Sequence, residues 1–312
     1  MKVAVGDVSL EVEELGNPSA PPLLLIMGLG SQLIHWPDPF CEMLADAGYR
    51  VVRFDNRDIG LSTGLSEHGT PSVPSNALRA LLGLPVQAPY TLTEMAHDAL
   101  GVLDALSIER AHVVGISMGG MIAQTLSLLA PERVLTLTSL MSSPRAIFLP
   151  KPSALLKLVE PPGQGREAAI QRSMEVFDTL RGPRFHFDPE LHRALAERVY
   201  DRAPGHPGAC PRQLSAILAS GSRVRALRSL RLPTLVVHGS ADPLIPFSAG
   251  KATARAIPAA RFHAIEGLGH HLPPGVWPEM VGAIVDHLRR PQEVEPQRAA
   301  ARPVTGEVAP AF

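Results

Sequence analysis

The stretch His112-Val113-Val114-Gly115-Ile116-Ser117-Met118-Gly119 decides the reading of this chain. Its first five residues are apolar and β-branched enough for a buried strand. From Met118 to Ala130 follows a strongly apolar helical run that Pro131 stops. Ser117 stands at the junction, in a Gly-x-Ser-x-Gly pattern. A serine between a strand and a helix must take a strained backbone to expose its hydroxyl, and glycines two before and two after remove the side chains that would collide there. The spacing therefore points to a serine nucleophile.

Outward from that point, strands alternate with helices. Lys2–Val5 and Val8–Glu13 read as a strand pair about a Gly6-Asp7 turn, and Leu23–Met27, Arg50–Phe54, Val134–Leu140, Thr234–His238 and Arg261–Ile265 read as further strands. Helices are predicted over Pro39–Ala47, Thr93–Leu106 and Glu279–Leu288, while 64–90 reads as a loop with a short helix. This order predicts an α/β fold: a mostly parallel sheet of about eight strands covered by helices. The interval from Leu140 to Thr234 is roughly three times the ~30 residues that one crossover needs. Its helical patterns (Ile170, Met174 and Phe177 on one face, then Asp188-Pro189-Glu190 leading into Leu191, Leu195 and Val199) predict a helical cap inserted after the sixth strand. The expected organisation is a core of 1–144 and 231–290, a cap of 145–230 with a hinge at 161–165, and a disordered tail at 291–312. A second, unrelated domain in place of the cap stays open.

Composition narrows the partners. The 312 residues carry 29 Lys+Arg against 30 Asp+Glu, a net charge of −1, which argues against nucleic acid or an anionic membrane surface. No apolar run is long enough to span a bilayer, and no signal peptide is evident at the start. Cys41 and Cys210 form no CxxC or metal-spaced cluster, which suits a reducing cytoplasm. A homodimer is left open.

A serine hydroxyl needs a base, and the base needs a carboxylate to orient it. His270, in Gly267-Leu268-Gly269-His270-His271, follows the last strand on a glycine-rich turn; His271 is its immediate rival. Asp242 follows the strand Thr234–His238, at the end where open α/β sheets gather their ligands. The backbone N–H of Met118, at a helix start, and that of Leu29, in the turn Met27-Gly28-Leu29-Gly30, are the expected oxyanion donors.

With the order Ser…Asp…His, these residues resemble the α/β-hydrolase superfamily over residues 1 to about 290. Ile26–Gly30, His35-Trp36-Pro37 and Asp55-Asn56-Arg57-Asp58-Ile59-Gly60-Leu61-Ser62 look like the branch containing aclacinomycin methylesterase and similar carboxylesterases. The resemblance implies catalysis by Ser117, His270 and Asp242 on a small carboxylic ester, no metal or organic cofactor, and a structural role for the Asp55–Ser62 turn. Met27 stands where many relatives have histidine. His35, Trp36, Phe148, Met174 and Phe177 are candidate pocket residues. Lactone, C–C bond, aminopeptidase and perhydrolase chemistry on the same three residues remain alternatives. An aminopeptidase would need cap acids such as Glu160, Glu167, Glu175, Asp178, Asp188, Glu190 or Glu197. A non-catalytic binding protein of the same fold is a further one.

Overall fold

The computed structural model of the chain describes residues 1–147, 150, 151, 153, 154, 157 and 165–290. Eight strands form one sheet: β1 (Lys2–Val5), β2 (Val8–Leu15), β3 (Pro22–Ile26), β4 (Arg50–Phe54), β5 (Ala111–Ile116), β6 (Val134–Leu140), β7 (Thr234–Gly239) and β8 (Arg261–Ile265). Their spatial order is β1-β2-β4-β3-β5-β6-β7-β8. β2 runs antiparallel to both its neighbours, and every other pairing is parallel. All eight expected strands are present, four with the expected bounds and four with ends moved by one or two residues.

The burial of each strand follows its place. β5, in the middle, is buried at every position, as a strand covered on both faces must be. β2, near the edge, alternates buried and half-buried residues over most of its length. Leu24, Ile26, Val52 and Val113 pack on one face under α3 (Leu92–Ala105) and α4 (Met118–Leu129). Leu23, Leu25, Val51 and Val114 pack on the other, where α1 (Asp38–Asp46) and α10 (Trp277–Arg289) supply Phe40, Leu44, Met280 and Ile284. The helix α2 (Val73–Leu81) is the short helix expected within 64–90.

Between β6 and β7 the described residues form α5 (Arg166–Leu180), α6 (Pro189–Arg202), α7 (Ala209–Ala219) and the single turn α8 (Val224–Leu227). Asp188 starts α6 as expected, its Oδ1 accepting from the N–H groups of Glu190 and Leu191. The sequence reading missed α7, and also α9 (Phe247–Ala256) after β7. The hinge at 161–165 falls outside the described residues except for Gly165, and the tail 291–312 falls outside them entirely. Among the described residues no helix is long and apolar enough to cross a membrane.

The turn Asp55–Ser62 fastens this helical insertion to the sheet. Asp55 accepts from the Leu33 and Leu61 N–H groups and from Arg202 on α6, at 2.7, 2.9 and 2.7 Å. Asp58 takes both arms of Arg212 on α7 at 2.8 Å, with neither side chain exposed. Burial works against the Asp58 anion, but Arg212, the Leu65 N–H and the Tyr90 hydroxyl outweigh it and hold its pKa below the ordinary value. Gly60, at φ 60°, has no room for a side chain: a Cβ there would lie 2.2 Å from Asp55 Oδ2.

Candidate active site

Ser117 takes φ 57° and ψ −120° between β5 and α4. For a residue with a side chain this conformation costs about 1–3 kcal/mol. The flanking glycines explain how it is tolerated. A Cβ on Gly115 would lie 2.1 Å from the Gly119 carbonyl oxygen, and one on Gly119 would lie 2.0 Å from that of Ile26. The Ser117 N–H donates to Leu140 O at 2.9 Å, and the Ser142 hydroxyl donates to Ser117 O at 2.7 Å, which locks the turn from β6.

Three side chains from distant parts of the chain meet here. Ser117 Oγ lies 3.0 Å from His270 Nε2, and His270 Nδ1 lies 2.7 Å from Asp242 Oδ2. A carboxylate oxygen only accepts, so Nδ1 carries the proton and Nε2 is left to accept from the serine hydroxyl. Asp242 is itself fixed, because its Oδ1 accepts from the Leu244 and Ile245 N–H groups at 2.9 Å each. His238, wholly buried beside it, donates from Nε2 to Ile245 O at 2.9 Å and steadies the same turn. Burial lowers its pKa although Asp242 pulls the other way, so it remains neutral near pH 7.

His271, the rival base, makes no hydrogen bond to Ser117 or Asp242. Both its ring nitrogens are buried without a hydrogen-bond partner among the described residues, and burial pushes its pKa down to about 4. The loop before it is tightly packed, since a Cβ on Gly269 would lie 2.2 Å from Leu180 O.

The turn after β3 runs against the serine: a Cβ on Gly28 would lie 3.1 Å from Ser117 Cβ. Among the described residues no acceptor takes up the N–H of Leu29 or of Met118. The Gly30 N–H, by contrast, is committed to Gln213 Oε1 on α7 at 2.9 Å.

The expected pocket residues divide. His35 and Phe177 come together across the boundary between core and insertion, ring centres 6.2 Å apart, and Phe177 also meets His192 edge-on at 5.0 Å. Burial pushes the His35 pKa down to about 4 against the effect of its bond to Gln32 O, so its ring is a neutral surface. Met174 is half-buried on the same helix as Phe177. Trp36 corrects the expectation. It is 0% exposed and stacks on Phe40 at 5.7 Å, in the core cluster that also holds Leu23, Leu25 and Leu44. Phe148 lies outside the described residues.

Five of the seven acids that an amine substrate could use have partners of their own. Glu167 and Glu197 pair with Arg193, Glu175 with Lys157 and Asp178 with Arg181; Asp188 caps α6 and Glu190 is exposed. Glu160 lies outside the described residues. Among the described residues no group of three or more His, Cys, Asp or Glu could hold a metal ion.

Residues 21–273 match the model of the alpha/beta hydrolase fold family. Rhodomycin D methylesterase of Streptomyces peucetius is 34% identical over 307 aligned residues, covering 91% of this chain and 96% of that protein. A poly(3-hydroxyalkanoate) depolymerase of Ectopseudomonas oleovorans is 31% identical, covering 82% of this chain and 80% of its own. Among solved structures, a meta-cleavage product hydrolase from Pseudomonas fluorescens IP01 superposes with a TM-score of 0.70 at 21% identity, over 92% of this chain and 96% of that one. At that identity the likeness speaks for the fold alone.

Proposed function

This chain belongs to the alpha/beta hydrolase fold family, and on that premise we propose that it hydrolyses a small carboxylic ester through an acyl-enzyme formed on Ser117. The methylesterase relative favours a methyl ester. The observation that carries the reading is the pair of contacts at His270: 3.0 Å from Nε2 to Ser117 Oγ and 2.7 Å from Nδ1 to Asp242 Oδ2.

In the first step Ser117 Oγ attacks the ester carbonyl carbon as its proton passes to His270 Nε2. Asp242 keeps the imidazole in the correct tautomer and stabilises its cationic form. The N–H groups of Leu29 and Met118 bind the oxyanion, whose charge exists only in the tetrahedral state, so their contribution appears in the rate. The carbon–oxygen bond to the alcohol then breaks, and the alcohol leaves with the proton from His270. A water molecule gives a proton to the same nitrogen and attacks the acyl carbon; the bond from that carbon to Ser117 Oγ then breaks, Oγ takes the proton from His270, and the carboxylic acid leaves.

The test combines turnover with labelling. The wild type is expected to hydrolyse p-nitrophenyl acetate and butyrate, to release methanol from methyl butyrate, and to be labelled by a fluorophosphonate at Ser117, as read by peptide mass. Ser117→Ala abolishes all three. Ester turnover that survives Ser117→Ala ends this reading.

A further inference from the structure

The turn that carries Leu29 is poorly held by its own backbone. Gly28 and Gly30 flank Leu29, Gly30 sits at φ +67°, and the turn's internal bond, from the Ser31 N–H to Gly28 O, is long at 3.4 Å. A donor that stabilises a transition state must be held to within about 0.5 Å. The rigidity has to come from outside the turn.

It comes from the insertion. Gln213 on α7 is 0% exposed and uses both ends of its amide. Its Oε1 accepts from the Gly30 N–H at 2.9 Å, and its Nε2 donates to Arg57 O at 3.1 Å. The peptide between Leu29 and Gly30 is thereby gripped on both sides, because the Ser31 hydroxyl donates to Leu29 O at 3.3 Å. The neighbouring Arg212 bolts the same helix to Asp58. We infer that Gln213 is a positioning residue for oxyanion stabilisation: a side chain of the insertion sets the orientation of the Leu29 N–H beside Ser117. The inference rests on the ester-hydrolase reading and on Leu29 as a donor. It adds that the oxyanion site is completed by the insertion and is not a property of the sheet alone.

Three variants test it. Gln213→Met keeps the shape and loses both polar ends. Gln213→Asn stays polar but is one methylene too short to reach the Gly30 N–H from α7. Gln213→Glu keeps an acceptor for the Gly30 N–H and loses the donor to Arg57 O. Each is assayed with p-nitrophenyl butyrate, and the rate is divided by the concentration of active sites from fluorophosphonate titration, which removes any unfolded fraction. Met and Asn are expected to lower kcat per active site by about tenfold to a hundredfold with KM within threefold, the split that marks a transition-state interaction. Glu is expected to stay within about fivefold of wild type. A residue that only filled space would lower the melting temperature and the titrated fraction while leaving kcat per active site unchanged, and that result overturns the inference. A Glu variant as slow as Asn overturns it too, and if Met does not fold, Asn against Glu decides. The wild-type and Ser117→Ala controls separate the two levels. No serine-dependent turnover in the wild type defeats the ester reading, whereas normal wild-type turnover with undiminished Asn and Met variants defeats only the role of Gln213.

Discussion

The carbonyl oxygen of Leu180, at the end of α5, accepts a 2.7 Å hydrogen bond from the N–H of His270. The insertion thus touches the loop of His270 through the main chain. The contact leaves no room at Gly269, where a Cβ would lie 2.2 Å from that oxygen. Gly269→Ala is therefore expected to push α5 and the His270 loop apart and to lower kcat for p-nitrophenyl butyrate at least tenfold, with the melting temperature falling as well. Steady-state kinetics and a thermal melt check this, and unchanged kinetics would show that the loop tolerates the displacement.

Asp242→Asn separates geometry from charge. The amide oxygen can still accept from Leu244 and Ile245, so the turn should survive and the melting temperature should move little. The amide nitrogen then faces His270 Nδ1 and favours the wrong tautomer. A loss in kcat of about a thousandfold to ten-thousandfold is expected. A loss under tenfold would place the orienting carboxylate elsewhere.

The pair Asp58–Arg212 offers a stability test away from the reacting atoms. Arg212→Met leaves a buried carboxylate without its partner and is expected to cost about 3–5 kcal/mol in urea unfolding. Asp58→Asn added to Arg212→Met should recover part of that loss, since no charge is then stranded. If the double variant is no more stable than the single one, the ion pair is not what holds α7 to the Asp55–Ser62 turn.

Acid should loosen the fold from within. Burial pushes the pKa values of His112, His271 and His287 down to about 4, helped by neighbouring positive groups. In the unfolded chain each takes up a proton below about pH 6.5. Between about pH 6.5 and 4 the unfolded state therefore binds more protons, and stability falls as pH falls. The contribution is complete above about pH 6.5 and lost towards pH 4, up to about 3 kcal/mol for one such histidine taken alone. Unfolding free energy should drop by at least about 2 kcal/mol from pH 7 to pH 5, and His287→Gln should flatten the slope. A flat profile over that range would contradict the burial of these rings in neutral form.

How far the sequence could be read depended on whether the deciding contacts were local. The strands, the strained turn at Ser117 and the start of α6 at Asp188 follow from residues adjacent in the chain. The helix α7 escaped notice because Pro211 in its first turn and Arg212 and Gln213 on its buried face look like loop composition. Those side chains are buried because they bond partners 154 and 183 positions away. α9 was hidden by Gly250, a poor helix former. That glycine is required because a Cβ would lie 2.4 Å from His238 Nδ1. Trp36 shows the limit in the other direction. Its nearness in sequence to the turn after β3 suggested a pocket wall, while its ring packs on Phe40 in the core. At the candidate site, the order of Ser117, Asp242 and His270 was visible in the chain, but the hold of Gln213 and Leu180 on the site was not.

Those two holds, Gln213 on the Gly30 N–H and Leu180 O on the His270 N–H, tie the insertion to two separate loops of the candidate site. A displacement of α5 or α7 would therefore be carried, through these two bonds, to the turn of Leu29 and the loop of His270 at once.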